Sequence, residues 1–196
     1  MMEPGIAVTG RQYPWSVRTV VLGSPPPELA ALIARRRELG LDRYDEVWNG
    51  EYHMAPMAHS SQSRLQAQLI RLVGSLADDA GLVITDSFNL GGPDDFRVPD
   101  FGLRRPGPEA VWLPTAALVV EVESPDDETW DKLPFYASHG VDELLVVSAK
   151  RRSVTWLIRE GDGYRESDAS RLLGPESASL ADHIDWPATA LDQPAK

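Results

Sequence analysis

The apolar positions of this chain switch between two periods, and the switches divide it into elements. Leu29, Leu32 and Ile33 recur at helical spacing behind Ser24 and Pro25 to Pro27, a start signal with serine as cap and proline in the first turn, and Gly40 closes the segment. Asp45-Glu-Val-Trp-Asn49-Gly50-Glu51-Tyr-His-Met54 reads as a β-hairpin. Asn-Gly is the preferred pair for a type I′ turn, whose two central residues need positive φ. Pro56 then breaks the strand. From Ser60, the residues Leu65, Leu69, Leu72, Val73 and Leu76 lie three and four apart on one helix face, closed near Gly81. Strands are predicted over Leu82–Leu90, Arg97–Arg104 and Ala116–Glu123, with Gly91-Gly-Pro-Asp-Asp95 as a turn between the first two. A short helix over Thr129–His139 ends at Gly140, and Asp142–Ala149 follows as a buried strand. Ser153–Glu160 and Tyr164–Asp168 form a last hairpin, and the tail from Gly174 is polar with one helical turn near Leu180.

This order suits an α/β fold, a mixed β-sheet with helices on both faces. The chain is expected to divide into an arm over residues 1–24, one α/β domain over 25–170, and a tail over 171–196 that packs on the domain or trails from it. At 196 residues and 42% hydrophobic it can bury one full core. No apolar run approaches the roughly 20 residues needed to span a bilayer, and Met1 to Gly10 lacks the basic and apolar regions of a signal peptide. Cysteine is absent, which removes disulfides, thiolate metal sites and a cysteine nucleophile. A cytoplasmic protein without membrane contact is expected.

The net charge of −11, from 30 acidic and 19 basic residues, opposes a general polyanion binder, since phosphates are held mainly by Lys and Arg. Local basic clusters occur at Arg35 to Arg37, at Arg104 and Arg105, and at Lys150 to Arg152, each readable as plain solvated surface.

The stretch Leu118-Val-Val-Glu121-Val-Glu123-Ser-Pro125 carries the most chemistry. Side chains alternate on a strand, so Leu118, Val120 and Val122 share one face, and Glu121 and Glu123 the other. Two carboxylates at the end of an apolar strand need a cation or a proton if they are buried, and strand ends are where open α/β sheets place ligands. A strand emerging into water would look the same. Val98-Pro99-Asp100 falls in the preceding predicted strand. Adjacent strands could set Asp100 beside Glu121, and two carboxylates with a backbone carbonyl form a hard-oxygen site suited to Mg²⁺. Lys132 lies at the start of the next helix, where its ammonium could stand beside both acids, lower the pKa of a water and offset charge on a phosphorane. As isolated features, a Pro-Asp pair is ordinarily a turn and such a lysine ordinarily surface.

These residues resemble the PD-(D/E)XK restriction-endonuclease-like superfamily, and within it the Uma-type endonuclease family. The matching phrases are Trp48-Asn-Gly-Glu51, Pro56-Met-Ala-His59, Val98-Pro-Asp100, Val120-Glu-Val-Glu-Ser-Pro125, Lys132-Leu-Pro-Phe-Tyr136-Ala and Gly140-Val-Asp-Glu-Leu144, in the family's order. The resemblance implies a restriction-endonuclease-like mixed sheet flanked by helices, with an N-terminal helix and β-hairpin. It implies that Asp100 and Glu121 hold one or two divalent metals, Mg²⁺ or Mn²⁺, helped by the Val122 carbonyl, with Glu51 as an upstream acid. The superfamily's usual lysine position holds Glu123 here, and Lys132 on the next helix is expected to stand in for it. Pro134 suits only a first helical turn, which a helix starting near Thr129 would still allow.

The expected activity is Mg²⁺-dependent hydrolysis of phosphodiester bonds in nucleic acid, DNA foremost, with Asp100, Glu121, Lys132, Glu123 and Glu51 as site residues and a homodimer as the expected assembly. The alternative is a catalytically inactive nuclease-fold protein serving as a binding or dimerisation module, to which Glu123 and the acidic charge point. A hydrolase of another phosphate ester is a third reading. No P-loop, Gly-x-Ser-x-Gly elbow, Gly-x-Gly-x-x-Gly or His-Glu-x-x-His occurs. His53 and His59 lack metal-ligand spacing, and His59 reads as structural at the helix start. Of six tryptophans, Trp130 alone falls beside the expected site.

Overall fold

The computed structural model of the protein describes residues 19–21, 25–55, 58–124 and 128–187. In chain order, β1 (Thr19–Val21) is followed by α1 (Pro27–Glu38), β2 (Glu46–Trp48), β3 (Glu51–Met54) and α2 (Ser60–Asp79). Then come β4 (Val83–Asp86), β5 (Asn89–Gly92), β6 (Asp95–Arg97), β7 (Phe101–Arg104), β8 (Trp112–Leu113) and β9 (Leu118–Glu123). A 3-10 turn (Thr129–Lys132) leads into α3 (Leu133–Ser138), followed by β10 (Glu143–Ser148), β11 (Ser153–Glu160), β12 (Gly163–Ser167) and α4 (Ser177–Asp182).

The strands make two six-stranded sheets where one was expected: β1-β3-β2-β6-β5-β8 and β12-β11-β10-β9-β7-β4. The reason lies in two predicted strands that each break in the middle. Leu82–Leu90 becomes β4 and β5, and Arg97–Arg104 becomes β6 and β7. The pair β4/β7 belongs to one sheet and its continuation β5/β6 to the other. One long antiparallel ribbon therefore changes sheets at a corner, with Ser87 and Phe88 on one side and Val98-Pro99-Asp100 on the other. Pro99 cannot donate to a ladder, which suits a corner.

The second sheet is the layered core. On β9, Leu118, Val120 and Val122 pack with Leu65, Leu69, Val73 and Ala77 of α2. Val119 on the opposite face packs with Phe135 and Tyr136 of α3. The strands β9 and β10 are parallel, and α3 lies on the connection between them. In the first sheet α1 covers the face carrying Val47 and Tyr52 through Ile33. The other face carries Glu46 and His53, which are paired across β2 and β3.

The hairpin turn follows its expected chemistry, with φ of 50° at Asn49 and 86° at Gly50. The helix over Thr129–His139 does not form as one piece. Pro134 occupies the first turn of α3, where its missing N–H costs nothing, and the preceding turn tightens to 3-10. Ser24 and Pro56 lie outside the described residues, and the cap position of α1 is Pro26. Part of the expected arm joins the sheet, as β1 pairs with β3. The expected tail packs in part on the domain, since Leu180 and Ile184 enter the main core.

Within the basic cluster of α1, Arg36 is structural. Arg36 grips buried Asp45 through two nitrogens, at 2.8 and 3.0 Å, and Arg35 pairs with Glu38. His59 caps α2, its ring accepting from the Ser61 N–H at 3.3 Å.

Candidate active site

Glu121 sits on the β9 face that looks toward α3, and only 5% of its surface is exposed. Lys132 ends the 3-10 turn and Tyr136 follows four residues later, so both reach the same side of the helix. The Tyr136 hydroxyl donates to Glu121 Oε1, and Lys132 Nζ lies 3.4 Å from the same oxygen. The second partner of Lys132 comes from the other sheet: Glu46 Oε1 at 2.8 Å. Glu46 is 4% exposed and also accepts from the Val98 N–H at 2.8 Å and from Trp48 Nε1 at 2.6 Å.

Asp100 stands at the corner of the ribbon. Its Oδ2 accepts from the Val122 N–H at 2.7 Å, on the residue after Glu121, and Gln62 Nε2 lies 3.3 Å from Oδ1. Its carbonyl, turned out of the ladder by the bend, accepts from Gln66 at 2.6 Å and from Ser87 Oγ at 3.1 Å. Gln62 and Gln66, one turn apart on α2, thus fix the corner that presents this carboxylate.

Asp100, Glu121 and Lys132 are therefore brought together, with Glu46 and Tyr136 added. Glu51 lies on the same sheet face as Glu46 but at the turn, opposite Trp48. Among the described residues, Glu46 and not Glu51 is the hairpin acid bonded to Lys132. The face had been readable from strand alternation; which acid on it reaches across to α3 was not. Glu123, largely covered on the same face of β9, bonds other partners and accepts from Trp130 Nε1 at 2.9 Å and from Arg151 at 2.8 Å. Gln62, Gln66 and Tyr136 were missed as well. Two glutamines one turn apart beside Leu65 and Leu69 were the available signal for the first two.

A column of stacked groups joins the walls. The Arg97 guanidinium, 4% exposed, lies 4.4 Å from the ring centre of Trp48 and 4.0 Å from that of Phe135. Its Nη1 donates to the Val47 carbonyl at 2.7 Å. Arg97 thereby holds the Glu46 strand against the helix that carries Lys132 and Tyr136.

The electrostatics follow from burial. Desolvation pushes the Glu121 carboxyl up to about 8; Lys132 opposes this, Asp100 adds to it, and the Tyr136 hydrogen bond opposes it. Burial alone would lower the Lys132 ammonium, but Glu121 and Glu46 outweigh it and raise Lys132 above its ordinary value. Burial and the neighbouring Glu121 hold the Tyr136 hydroxyl in its neutral form. Lys132 is consequently a fixed cation, suited to stabilising negative charge and not to accepting a proton.

Among the described residues, no three acidic or histidine side chains converge closely enough to form a metal centre by themselves. The donors at hand are Asp100, Glu121 and the Val122 carbonyl, all hard oxygens; Gln62 Nε2 bridges Asp100 Oδ1 and that carbonyl at 3.3 and 3.4 Å, and the Lys132 ammonium already sits between Glu46 and Glu121. Mg²⁺ typically takes one or two carboxylates and keeps several waters, so this set fits it.

A mixed α/β core with acids at a sheet corner and strand end, and a lysine on the following helix, is the restriction-endonuclease-like class of fold. The chain belongs to the Uma2 family, described as "Putative restriction endonuclease", whose model matches residues 34–187. A crystal structure titled as a "putative nuclease belonging to DUF820", from Anabaena variabilis ATCC 29413, is similar at 15% identity and a TM-score of 0.59. The match covers 71% of this chain and 90% of that one, a likeness of fold. No curated protein matches the chain. No helix among the described residues is long and apolar enough to cross a membrane.

Proposed function

We propose that the protein is a metal-dependent endonuclease hydrolysing phosphodiester bonds of nucleic acid, with DNA as the expected substrate. The observation that carries this reading is the convergence of Asp100, Glu121 and Lys132 from three separate elements, with Lys132 Nζ 3.4 Å from Glu121. Asp100, Glu121 and the Val122 carbonyl would hold Mg²⁺, with Mn²⁺ as a substitute. The ion would supply a polarised water and charge for the phosphoryl oxygens.

The chain's own residues do the rest. Asp100 is aimed by the Val122 N–H and Gln62, so its carboxylate cannot swing away. Lys132 keeps its proton, orients the attacking water and faces the charge that builds on the phosphorane. Glu46 holds the ammonium in place, and Tyr136 orients Glu121. Water oxygen bonds to phosphorus as the bond to the leaving oxygen breaks; the water gives up one proton to solvent, and the leaving oxygen takes one up from solvent.

A second reading is favoured by one observation. Lys132 is closer to Glu46 than to Glu121, and a lysine held in a closed ion pair would suit a nuclease-fold protein that binds or dimerises without cutting. Incubating supercoiled plasmid with the protein and Mg²⁺ or Mn²⁺, beside Asp100→Ala, separates the two. Metal-dependent relaxation lost in Asp100→Ala supports the endonuclease. Relaxation surviving in the variant places the activity elsewhere, and none in either protein leaves the non-catalytic reading.

A further inference from the structure

Glu123 occupies the position where a catalytic lysine is usual, and it bonds two groups that the proposed chemistry does not use. Its Oε1 accepts from Trp130 Nε1 at 2.9 Å and from Arg151 Nη2 at 2.8 Å. One carboxyl oxygen thus yokes an indole from the 3-10 turn to a guanidinium from the turn between β10 and β11.

Both yoked groups remain open to solvent. Trp130 is 46% exposed, and the Arg151 side chain is 55% exposed. A half-exposed indole presents both an apolar surface and, through its bonded N–H, a fixed orientation. The basic cluster Lys150, Arg151 and Arg152 is exposed beside it, a local excess of positive charge on a chain of net −11. The pair is continuous with the site. Trp130 precedes Lys132 by two residues on the same turn, and Glu123 follows Glu121 by two on the same face of β9.

We infer that Trp130 and Arg151, held together by Glu123, form a seat for one unstacked nucleotide next to the scissile phosphate. The inference rests on the endonuclease reading above. The indole offers a flat face to a base, and the guanidinium takes the adjoining phosphate. A base paired and stacked in a duplex cannot lie on an indole, whereas a base in a single strand, flap or frayed end can. The substrate class is therefore nucleic acid with an unpaired segment at the cut.

The test measures anisotropy of a short fluorescein-labelled oligothymidylate and of a duplex of equal length, with Ca²⁺ present as a hard cation for the carboxylates. Full-length protein is compared with Trp130→Ala, Trp130→Phe and Arg151→Ala. The expected results are tighter binding of the single strand, a loss of about tenfold or more in Trp130→Ala, and retention in Trp130→Phe. Arg151→Ala should weaken binding and lower its salt dependence by about one phosphate contact. Equal affinity of wild type and Trp130→Ala for the oligothymidylate overturns the seat, as does a preference for duplex. A thermal midpoint lowered in Trp130→Ala with binding unchanged would make the indole a cover for Glu123 and overturn it as well. Plasmid cleavage by a Trp130→Ala protein with unaltered binding rejects the seat and leaves the endonuclease standing. Trp130-dependent binding in a protein that never cuts rejects the endonuclease and keeps the seat.

Discussion

Lys132 Nζ lies 2.8 Å from Glu46 Oε1 and 3.4 Å from Glu121 Oε1, so one ammonium joins two acids that belong to different sheets. Glu46 comes from a hairpin far upstream, and its other contacts, the Val98 N–H and Trp48 Nε1, keep it from following any movement of the lysine. The cation at the heart of the site is thus aimed from outside the motif that contains it.

That relation makes Glu46→Gln informative. The neutral amide keeps one acceptor, but its NH₂ must face either Lys132 or the Trp48 N–H, both donors. Breaking this buried pair should cost about 3 kcal/mol of stability, read as a lower urea midpoint. Cleavage should fall about 100-fold at temperatures where the variant is folded, as expected when an electrostatic group is misplaced. Wild-type cleavage by a folded Glu46→Gln protein would remove Glu46 from the site.

A second buried acid should affect stability without affecting cleavage. Glu143, 2% exposed, accepts from Ser170 Oγ at 2.6 Å and from the N–H groups of Arg171 and Leu172 at 2.9 and 3.1 Å. It ties the C-terminal segment to β10 through Ser170, Arg171 and Leu172, none of which belongs to the candidate active site. Glu143→Gln leaves one of these donors facing an NH₂ and should lose about 2 kcal/mol. Cleavage per folded molecule should be unchanged, and a loss of activity beyond the folded fraction would contradict this separation.

Local chemistry was legible in the sequence and tertiary branching was not. The Asn49-Gly50 turn and the apolar face of α2 were readable because each depends on neighbours a few residues away. The alternation that turns Glu121 away from Val120 was readable for the same reason. The corner at Ser87 and Asp100 exists because two sheets diverge there, a property of the whole ribbon; Pro99 was its only local trace. The two-residue strand β8 is too short for any period. Asp100 and Glu121 could be paired by the order of strands, whereas Glu46 required knowing which face of the first sheet meets α3. Glu51, nearer the family phrase, drew attention from it.

The hairpin end of the same ribbon can be probed at Gly91, which pairs with Phe96 across β5 and β6. Its φ of +119° disfavours any other residue, and an added Cβ would stand 2.4 Å from the Asp95 carbonyl and 2.9 Å from the Phe135 ring. The ring cannot retreat freely, because it stacks on Arg97 at 4.0 Å. Gly91→Ala should cost at least about 2 kcal/mol through backbone strain and displacement of the stack. Cleavage should fall as well, since Phe135 lies between Lys132 and Tyr136. An unchanged melting temperature would show that the turn accommodates the methyl and that the stack is not under constraint.

The Glu121 proton gives the sharpest prediction on pH. Its carboxyl is raised from an ordinary 4.5 to about 8, chiefly by burial, so between these values the folded protein holds a proton that the unfolded chain has lost. Stability from this group is complete below the lower value and drains away as pH rises through the upper one. Without metal, Glu121→Gln should therefore gain on the wild type as pH rises from about 6 to about 8. Lys132 does not confuse the measurement, because its pKa is raised too and it stays an ammonium throughout this window. With saturating Mg²⁺ the wild type should lose this pH dependence, because a metal ligand must shed its proton first and the bound folded state then holds no more protons than the unfolded chain. The melting-temperature increase on adding Mg²⁺ should grow with pH, and cleavage should climb up to about tenfold per unit before levelling near pH 8. A Mg²⁺-induced shift that is the same at both ends of the range, or that persists in Glu121→Gln, would take Glu121 out of the metal site.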